Sequence, residues 1–344
     1  MSIINPFLSA AYYSGLHRLF SPLYAGIGSI FMLHRVQPQA PQSAFDPNRE
    51  LTITPAYLRG VIQYLRKEGW DIISLDEMCG RLEAPSKQRR FAVFTLDDGY
   101  RDNLEHALPV FESEQAPFAV YVTSGFIDRT DVPWWYLVEA RLAGARYLEI
   151  DTGEKILELP LRRAAEKQSA FKVLRNLLMR GDSEWNRTIL EEMANALGTN
   201  TATFTDRLIM NWSEVADLAA SSLATIGVHS VSHAALSQVD TQRANNEITA
   251  CRDDLLRHTG IHAEHFCYPY GGSHECGERE FELARTAGYR SATTTYKANV
   301  LPVHSAQPFA LPRLAIKGTQ QSLRYLAVHL SGFAGILYNG LSSA

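Results

Sequence analysis

The stretch that decides the fold is Phe91–Tyr100, read as FAVFTLDDGY. Phe91, Ala92, Val93 and Phe94 form a continuous apolar run, which passes through Thr95 and Leu96 into two adjacent carboxylates, Asp97 and Asp98. Gly99 then lets the chain turn. A short unbroken run of this kind predicts a strand buried on both faces, as in a parallel α/β sheet. Ligands in such folds sit beyond the carboxyl ends of the strands, where Asp97 and Asp98 fall. Taken alone, Asp-Asp-Gly is an ordinary turn or helix cap. Two neighbouring carboxylates also repel each other unless a cation or a shared proton relieves them, so a matching cation site elsewhere in the chain would change that reading.

Working outward, Ser29–Leu33 (SIFML) predicts a strand that delivers His34 and Arg35 at its end, and Asp71–Leu75 (DIISL) a second one. Between them, Thr54-Pro55 starts a helix in which Leu58, Ile62 and Leu65 recur at helical spacing. Beyond the central stretch, Pro117–Val122, Ala224–Val228, Glu264–Cys267 and Tyr289–Thr294 read as strands, with helices over Asn245–His258 and Arg279–Ala287. Strand and helix alternating in this way indicate a parallel α/β architecture. The alternation stops for roughly a hundred residues after the fourth strand, longer than an ordinary connection. Trp134, Trp135 and Tyr136 open that segment, and helix-forming stretches follow near Leu161–Met179 and Ser183–Leu197. Asn211-Trp212-Ser213-Glu214 is a capping-box start at which the alternation resumes. The expected organisation is an apolar helical segment over 1–28, a barrel over 29–125 and 211–320, a helical insertion over 126–210, and a C-terminal helix over 321–344.

The 344 residues are 46% hydrophobic and 20% charged, which suffices for a large core. A net charge of −4 gives no electrostatic reason to expect nucleic acid as a partner. The four cysteines are widely spaced and form no CxxC pair, which argues against a disulfide framework and for a reducing compartment. Residues 1–33 are apolar and aromatic but are interrupted by His17 and Arg18, and no basic cluster precedes them. Neither a secretory signal nor a spanning helix is therefore expected, and a cytoplasmic location follows. Ser322–Tyr338 is apolar too, broken by Arg324, His329 and Gly332. Packing of both ends against the main domain is the first expectation, and peripheral contact with a membrane surface is the alternative.

A second constellation, His229-Ser230-Val231-Ser232-His233, follows directly on the strand ATIGV. Two histidines four residues apart would share one face of a helical turn, a spacing that suits a metal. The glutamate of a zinc-protease helix is absent. A third ligand is needed, and Asp97 or Asp98 stands at the matching end of another strand. Two imidazoles and one carboxylate leave open positions for water and substrate, and the second carboxylate is then free to act as a base.

The order TLDDGY, HSVSH and Phe266-Cys267-Tyr268-Pro269-Tyr270-Gly271 resembles the first three motifs of the polysaccharide deacetylases, the NodB-homology family of carbohydrate esterase family four. The resemblance runs roughly from His34 to Arg313. It implies a distorted (β/α)7-type barrel and a metal-dependent hydrolase that removes acetyl groups from N-acetylated amino sugars. By the family's pattern, Asp97 is the general base, Asp98 binds the metal with His229 and His233, and the backbone N–H of Tyr270 helps hold the oxyanion. Zinc is the expected ion, and cobalt, nickel and iron also suit the ligand set.

The chain departs from the family in two places. The histidine acid usually carried near the C-terminus is missing, and Phe31-Met32-Leu33-His34 looks like its equivalent moved by circular permutation, as in a branch acting on poly-N-acetylglucosamine. His34 is accordingly the expected general acid. The arginine of the third motif, which holds the base aspartate, corresponds to Cys267 here. Arg313 or Arg35 could restore its charge, although a surface salt bridge is the ordinary role for either. Arg313 is also carried as a candidate substrate contact, with Trp134 and Trp135, whose rings could stack on sugars or simply fill the core. Two readings remain beside the deacetylase: a glycan-binding protein that kept the fold and lost catalysis, and a hydrolase of another carbon–nitrogen bond or an O-acetyl ester. An iron(II) oxygenase triad has no use for the adjacent aspartate, and the alternating pattern is not that of a jelly roll.

Overall fold

The computed structural model describes residues 4–39, 43–84, 89–180 and 183–335. Its centre is a curled sheet of parallel strands: β1 (Gly28–Leu33), β2 (Asp71–Ile72), β3 (Phe91–Leu96), β4 (Phe118–Val122), β5 (Ala224–Val228), β6 (His265–Cys267), β7 (Ser291–Thr293) and β8 (Leu314–Ala315). Hydrogen bonding runs in the order β7–β6–β5–β4–β3–β1–β8, with β2 beside the first residues of β3. Leu311, just before β8, bridges in parallel to Thr293 of β7, so the two ends of this order meet. The result is a distorted (β/α) barrel in which β1, from the start of the chain, is clasped between β3 and β8.

All six residues of β3 are buried, as the unbroken apolar run requires. Successive strand side chains point to opposite faces. Phe91 and Val93 join Ile30, Tyr121, Cys267 and Leu311 in the barrel interior, and Ala92, Phe94 and Leu96 pack outward into the larger core beneath the helices. The same alternation carries Thr95 and Asp97 over the interior. Gly227 has no room for a side chain, because a Cβ there would lie 2.5 Å from the ring of Tyr121.

The helices used below are α1 (Ile4–Tyr13), α2 (Leu16–Tyr24), α3 (Ala164–Arg180), α4 (Ser183–Asn195), α5 (Thr241–Thr259) and α6 (Leu323–Leu330). The caps read from sequence are present: Thr54 accepts from the N–H of Tyr57 at the start of Pro55–Lys67, and Asn211 and Glu214 form a reciprocal capping box. The strand expected over Asp71–Leu75 ends at Ile72, because Ser74 caps a helix that already begins at Leu75. Asp240 starts α5 four residues earlier than its apolar spacing suggests.

The segment expected as a helical insertion also contains an antiparallel hairpin, Tyr147–Asp151 with Ile156–Pro160. Its first strand alternates strictly, with Leu148 and Ile150 buried between exposed neighbours, which is the period-two signal of a half-buried strand. At the ends of the chain, Leu8, Ala11, Val328 and Ala334 form a small core of their own, joining α1 to the α6 region. Residues 336–344 of the expected C-terminal helix lie outside the described residues. Among the described residues, no helix is long and apolar enough to cross a membrane.

Candidate active site

Asp97 and Asp98 leave the end of β3, and His229 leaves the end of β5, two strands away. The N–H of Asp97 donates to Leu33 O and that of His229 to Val122 O, so both chains are still pinned to their neighbours where the site begins. Asp98 then turns with φ 75°, followed by Gly99 at 76°. Aspartate tolerates this left-handed region, and the turn separates the two carboxylates.

The pair His229 and His233 does not lie on a helical turn. The segment between them is an irregular loop, with Ser230 and His233 both at positive φ. Buried Glu247 of α5 shapes it, accepting from the N–H groups of Val231 and Ser232 and from Ser232 Oγ. Phe126, Trp135 and Tyr270 surround the His233 ring. The loop thereby brings both Nε2 atoms toward one oxygen: Asp98 Oδ1 lies 3.5 Å from His229 Nε2 and 3.3 Å from His233 Nε2.

This arrangement fits a cation. Asp98 Oδ1 is buried and has no hydrogen-bond partner. Burial pushes the Asp98 carboxyl up, but His233 above all outweighs it and holds the group well below the usual range. His229 Nδ1 lies 2.7 Å from the carbonyl of Cys267, to which it donates, so its Nε2 presents a lone pair. Burial also pushes His229 down to about 4, leaving it neutral near pH 7. A carboxylate oxygen facing a neutral imidazole lone pair is repulsive unless a positive ion lies between them. Asp98, His229 and His233 offer one ligand atom each within 4.8 Å of one another, and so do Asp97, His229 and Cys267. The second group is not a cage, because Arg313 occupies its carboxylate and burial holds the Cys267 thiol protonated, far above its usual range.

Arg313 is neither a surface salt bridge nor a substrate contact. It is fully buried, and its guanidinium meets Asp97 with Nη1–Oδ1 at 2.7 Å and Nη2–Oδ2 at 2.8 Å. It also donates to Thr95 Oγ1, Thr294 O and Cys267 Sγ, which uses up its fork. Burial raises the Asp97 carboxyl, and Arg313 more than reverses that, so the group is held ionised. Arg35, the other candidate for this charge, pairs with Asp102 at 2.7 Å and lies over the rings of Tyr100 and Tyr136.

His34 follows β1 beside Asp97 and contributes to the lowering of both carboxylates. Asn103, at the start of a π-helical turn, donates to its carbonyl at 2.8 Å and fixes its backbone. Tyr270 has φ 59°, a strained value for a bulky residue. It is clamped at both ends, by Trp134 Nε1 on its hydroxyl and Thr295 Oγ1 on its carbonyl. Its N–H has no acceptor among the described residues.

The two tryptophans divide. Trp135 is buried under the site, donating to Tyr100 OH with its ring against His233, and is not available to a sugar. Trp134 is mostly buried but borders a cavity of about 570 Å³ that opens beside His233 and Tyr270 and is walled by α3 and α4 of the insertion. Sequence reasoning missed Glu247, whose position in the middle of a polar helix gives no local signal, and the Cys267 carbonyl, which no side-chain pattern can reveal.

Residues 179–292 match the sequence profile of the polysaccharide deacetylase family. That stretch includes His229, His233 and Tyr270. No curated protein matches the chain. Among solved structures, the fold is similar to the Streptococcus pyogenes deacetylase PplD in complex with acetate, at 14% identity over 88% of this chain and 97% of that one, with a TM-score of 0.57. It is also similar to IcaB from Ammonifex degensii (17% identity, 89% and 97% covered, TM-score 0.54) and to the BpsB deacetylase domain from Bordetella bronchiseptica (15%, 84% and 95%, 0.51). The barrel is the fold these deacetylases share. Residues 179–292 thus carry the sequence signature of a polysaccharide deacetylase domain, and the chain as a whole shares the fold of these deacetylases.

Proposed function

We propose that this protein removes N-acetyl groups from an amino-sugar glycan or glycan precursor, with one divalent metal ion, zinc by preference, held by Asp98, His229 and His233. The observation that carries the reading is the pairing of an orphaned carboxylate between two imidazoles with a second, separately clamped carboxylate on the next residue. The ion supplies Lewis acidity, polarising the acetamide carbonyl and acidifying water. Asp97, kept ionised and oriented by Arg313, takes the proton of the attacking water. The free N–H of Tyr270 donates to the oxygen that becomes negative as the carbonyl carbon turns tetrahedral. His34 protonates the departing amine, which leaves poorly as an anion.

The cavity beside His233 falls within the ~300–1,000 Å³ range of small-molecule sites, and Trp134 and Gln238 give it an aromatic face and an amide for a sugar's hydroxyls. The acetate bound by PplD is the product this reading expects.

The test is acetate release from N-acetylglucosamine oligomers, measured with bound metal before chelation, after it, and after zinc is restored. Release that chelation abolishes and zinc restores is the expected result. Bound metal with no acetate from any N-acetylated sugar would refute the amide substrate, and failure to bind metal would favour a glycan-binding protein.

A further inference from the structure

Five of the twelve large apolar side chains exposed among the described residues fall within residues 7–23: Phe7, Tyr13, Leu16, Leu19 and Leu23. Leu16, Leu19 and Leu23 recur at the spacing of one helical stripe, and the last two are each 75% exposed. The other side of α2 is held to the body. His17 is buried, bonded through Nδ1 to Ala11 O and stacked on Tyr12, and Phe20 lies against Phe333. The stripe is thus presented outward by a helix that is anchored.

The two ends of the chain carry basic residues and no acids, and the acid beside them, Glu68, faces Tyr64 together with Arg18. All 37 acidic residues lie between positions 46 and 282, and residues 1–45 and 283–344 contain none. These acid-free ends are the ones that pack together through α1 and the α6 region. Arg18 sits within the stripe's own helix, and Arg324 of α6 reaches Tyr13, bonding its hydroxyl and lying over its ring.

From this we infer that the outer face of α1–α2 lies on the surface of a phospholipid bilayer bearing anionic headgroups. Leucines and phenylalanine enter the boundary of the acyl region while arginines reach the headgroups, as in interfacial amphipathic helices. A symmetric contact with a second copy is disfavoured, since it would set Arg18 and Arg324 against their own copies with no acid in either end segment to pair them.

The experiment is flotation of the full chain with vesicles of phosphatidylcholine mixed with phosphatidylglycerol, and with vesicles of phosphatidylcholine alone. Binding to the anionic vesicles, weakened by salt, is expected. Leu19→Glu and Leu23→Glu should each lower it roughly tenfold or more. Ile156→Glu, on the insertion's hairpin, should leave it unchanged. Acetate release from soluble oligomers should be the same in every variant, so this result is independent of the proposed chemistry. Equal binding by the leucine variants, preference for neutral vesicles, or a wild-type dimer that these substitutions dissociate would each overturn the inference.

Discussion

Arg313 holds Asp97 by both guanidinium nitrogens, at 2.7 and 2.8 Å, across 216 residues of sequence. The sulfur of Cys267, where the resemblance leads one to expect an arginine, rests 3.0 Å from Nη2 of Arg313. The positive charge at Asp97 comes instead from Arg313, which lies just before β8. A buried carboxylate without this partner would take up a proton. The bidentate clamp therefore keeps Asp97 ionised, the state that the proposed base role requires.

Loss of the clamp has two measurable consequences. Arg313→Ala leaves a buried carboxylate unpaired and should cost about 3–5 kcal/mol in urea unfolding. Arg313→Lys keeps the charge without the fork. Because the clamp lowers the Asp97 pKa, weakening it should move the acid limb of the pH–rate profile to higher pH. An unmoved limb in an active Arg313→Lys enzyme would exclude Asp97 as the base.

Asp98→Asn removes the negative charge that faces neutral His229. Without metal, this variant should unfold no more easily than the wild type. With zinc added, the wild type should gain stability in proportion to binding, by about 2.7 kcal/mol at a hundredfold excess over Kd, and the variant should gain little. Equal stabilisation of the two by zinc would place the metal elsewhere.

His34→Ala should lower turnover by roughly 10²–10⁴-fold while metal content stays unchanged. His34 is partly exposed at the strand end, so its truncation should not disturb folding. Full activity in this variant would return the acid's role to another group.

Asp131, in the cavity wall, is pushed up to about 6 by burial and by Glu247. The folded state therefore binds its proton more tightly than the unfolded state does. Its favourable contribution is fully present below the ordinary aspartate value and is lost as pH rises through about 6. Asp131→Asn should match the wild type in stability near about pH 4 and exceed it by about 1–3 kcal/mol near about pH 8. Urea midpoints at the two pH values decide this, and coincident midpoints near about pH 8 would contradict it.

The sequence by itself determined what depends on near neighbours. The apolar run of Phe91–Leu96, the Thr54 and Asn211 caps and the order of the three motifs are local signals, and local periodicity and capping are sufficient to write them. They placed Asp97 and Asp98 at a strand end and His229 just past another. The hairpin of the insertion was legible in the alternation of Tyr147–Asp151 but was hidden inside a segment read as helical throughout.

Only the tertiary structure decided which distant groups meet. Whether Arg313 or Arg35 answers Asp97 depends on barrel closure, which sets Leu311 beside β7 and β8 beside β1. Bonds from Arg313 to Thr294 O and Tyr296 O then hold it over the same interior as Asp97. That Trp135 turns under the site while Trp134 borders the cavity, and that HSVSH converges as a loop and not as a helix, follows from packing against Tyr100, Tyr270 and Glu247. Those partners are fixed by long-range register, which no window of sequence contains.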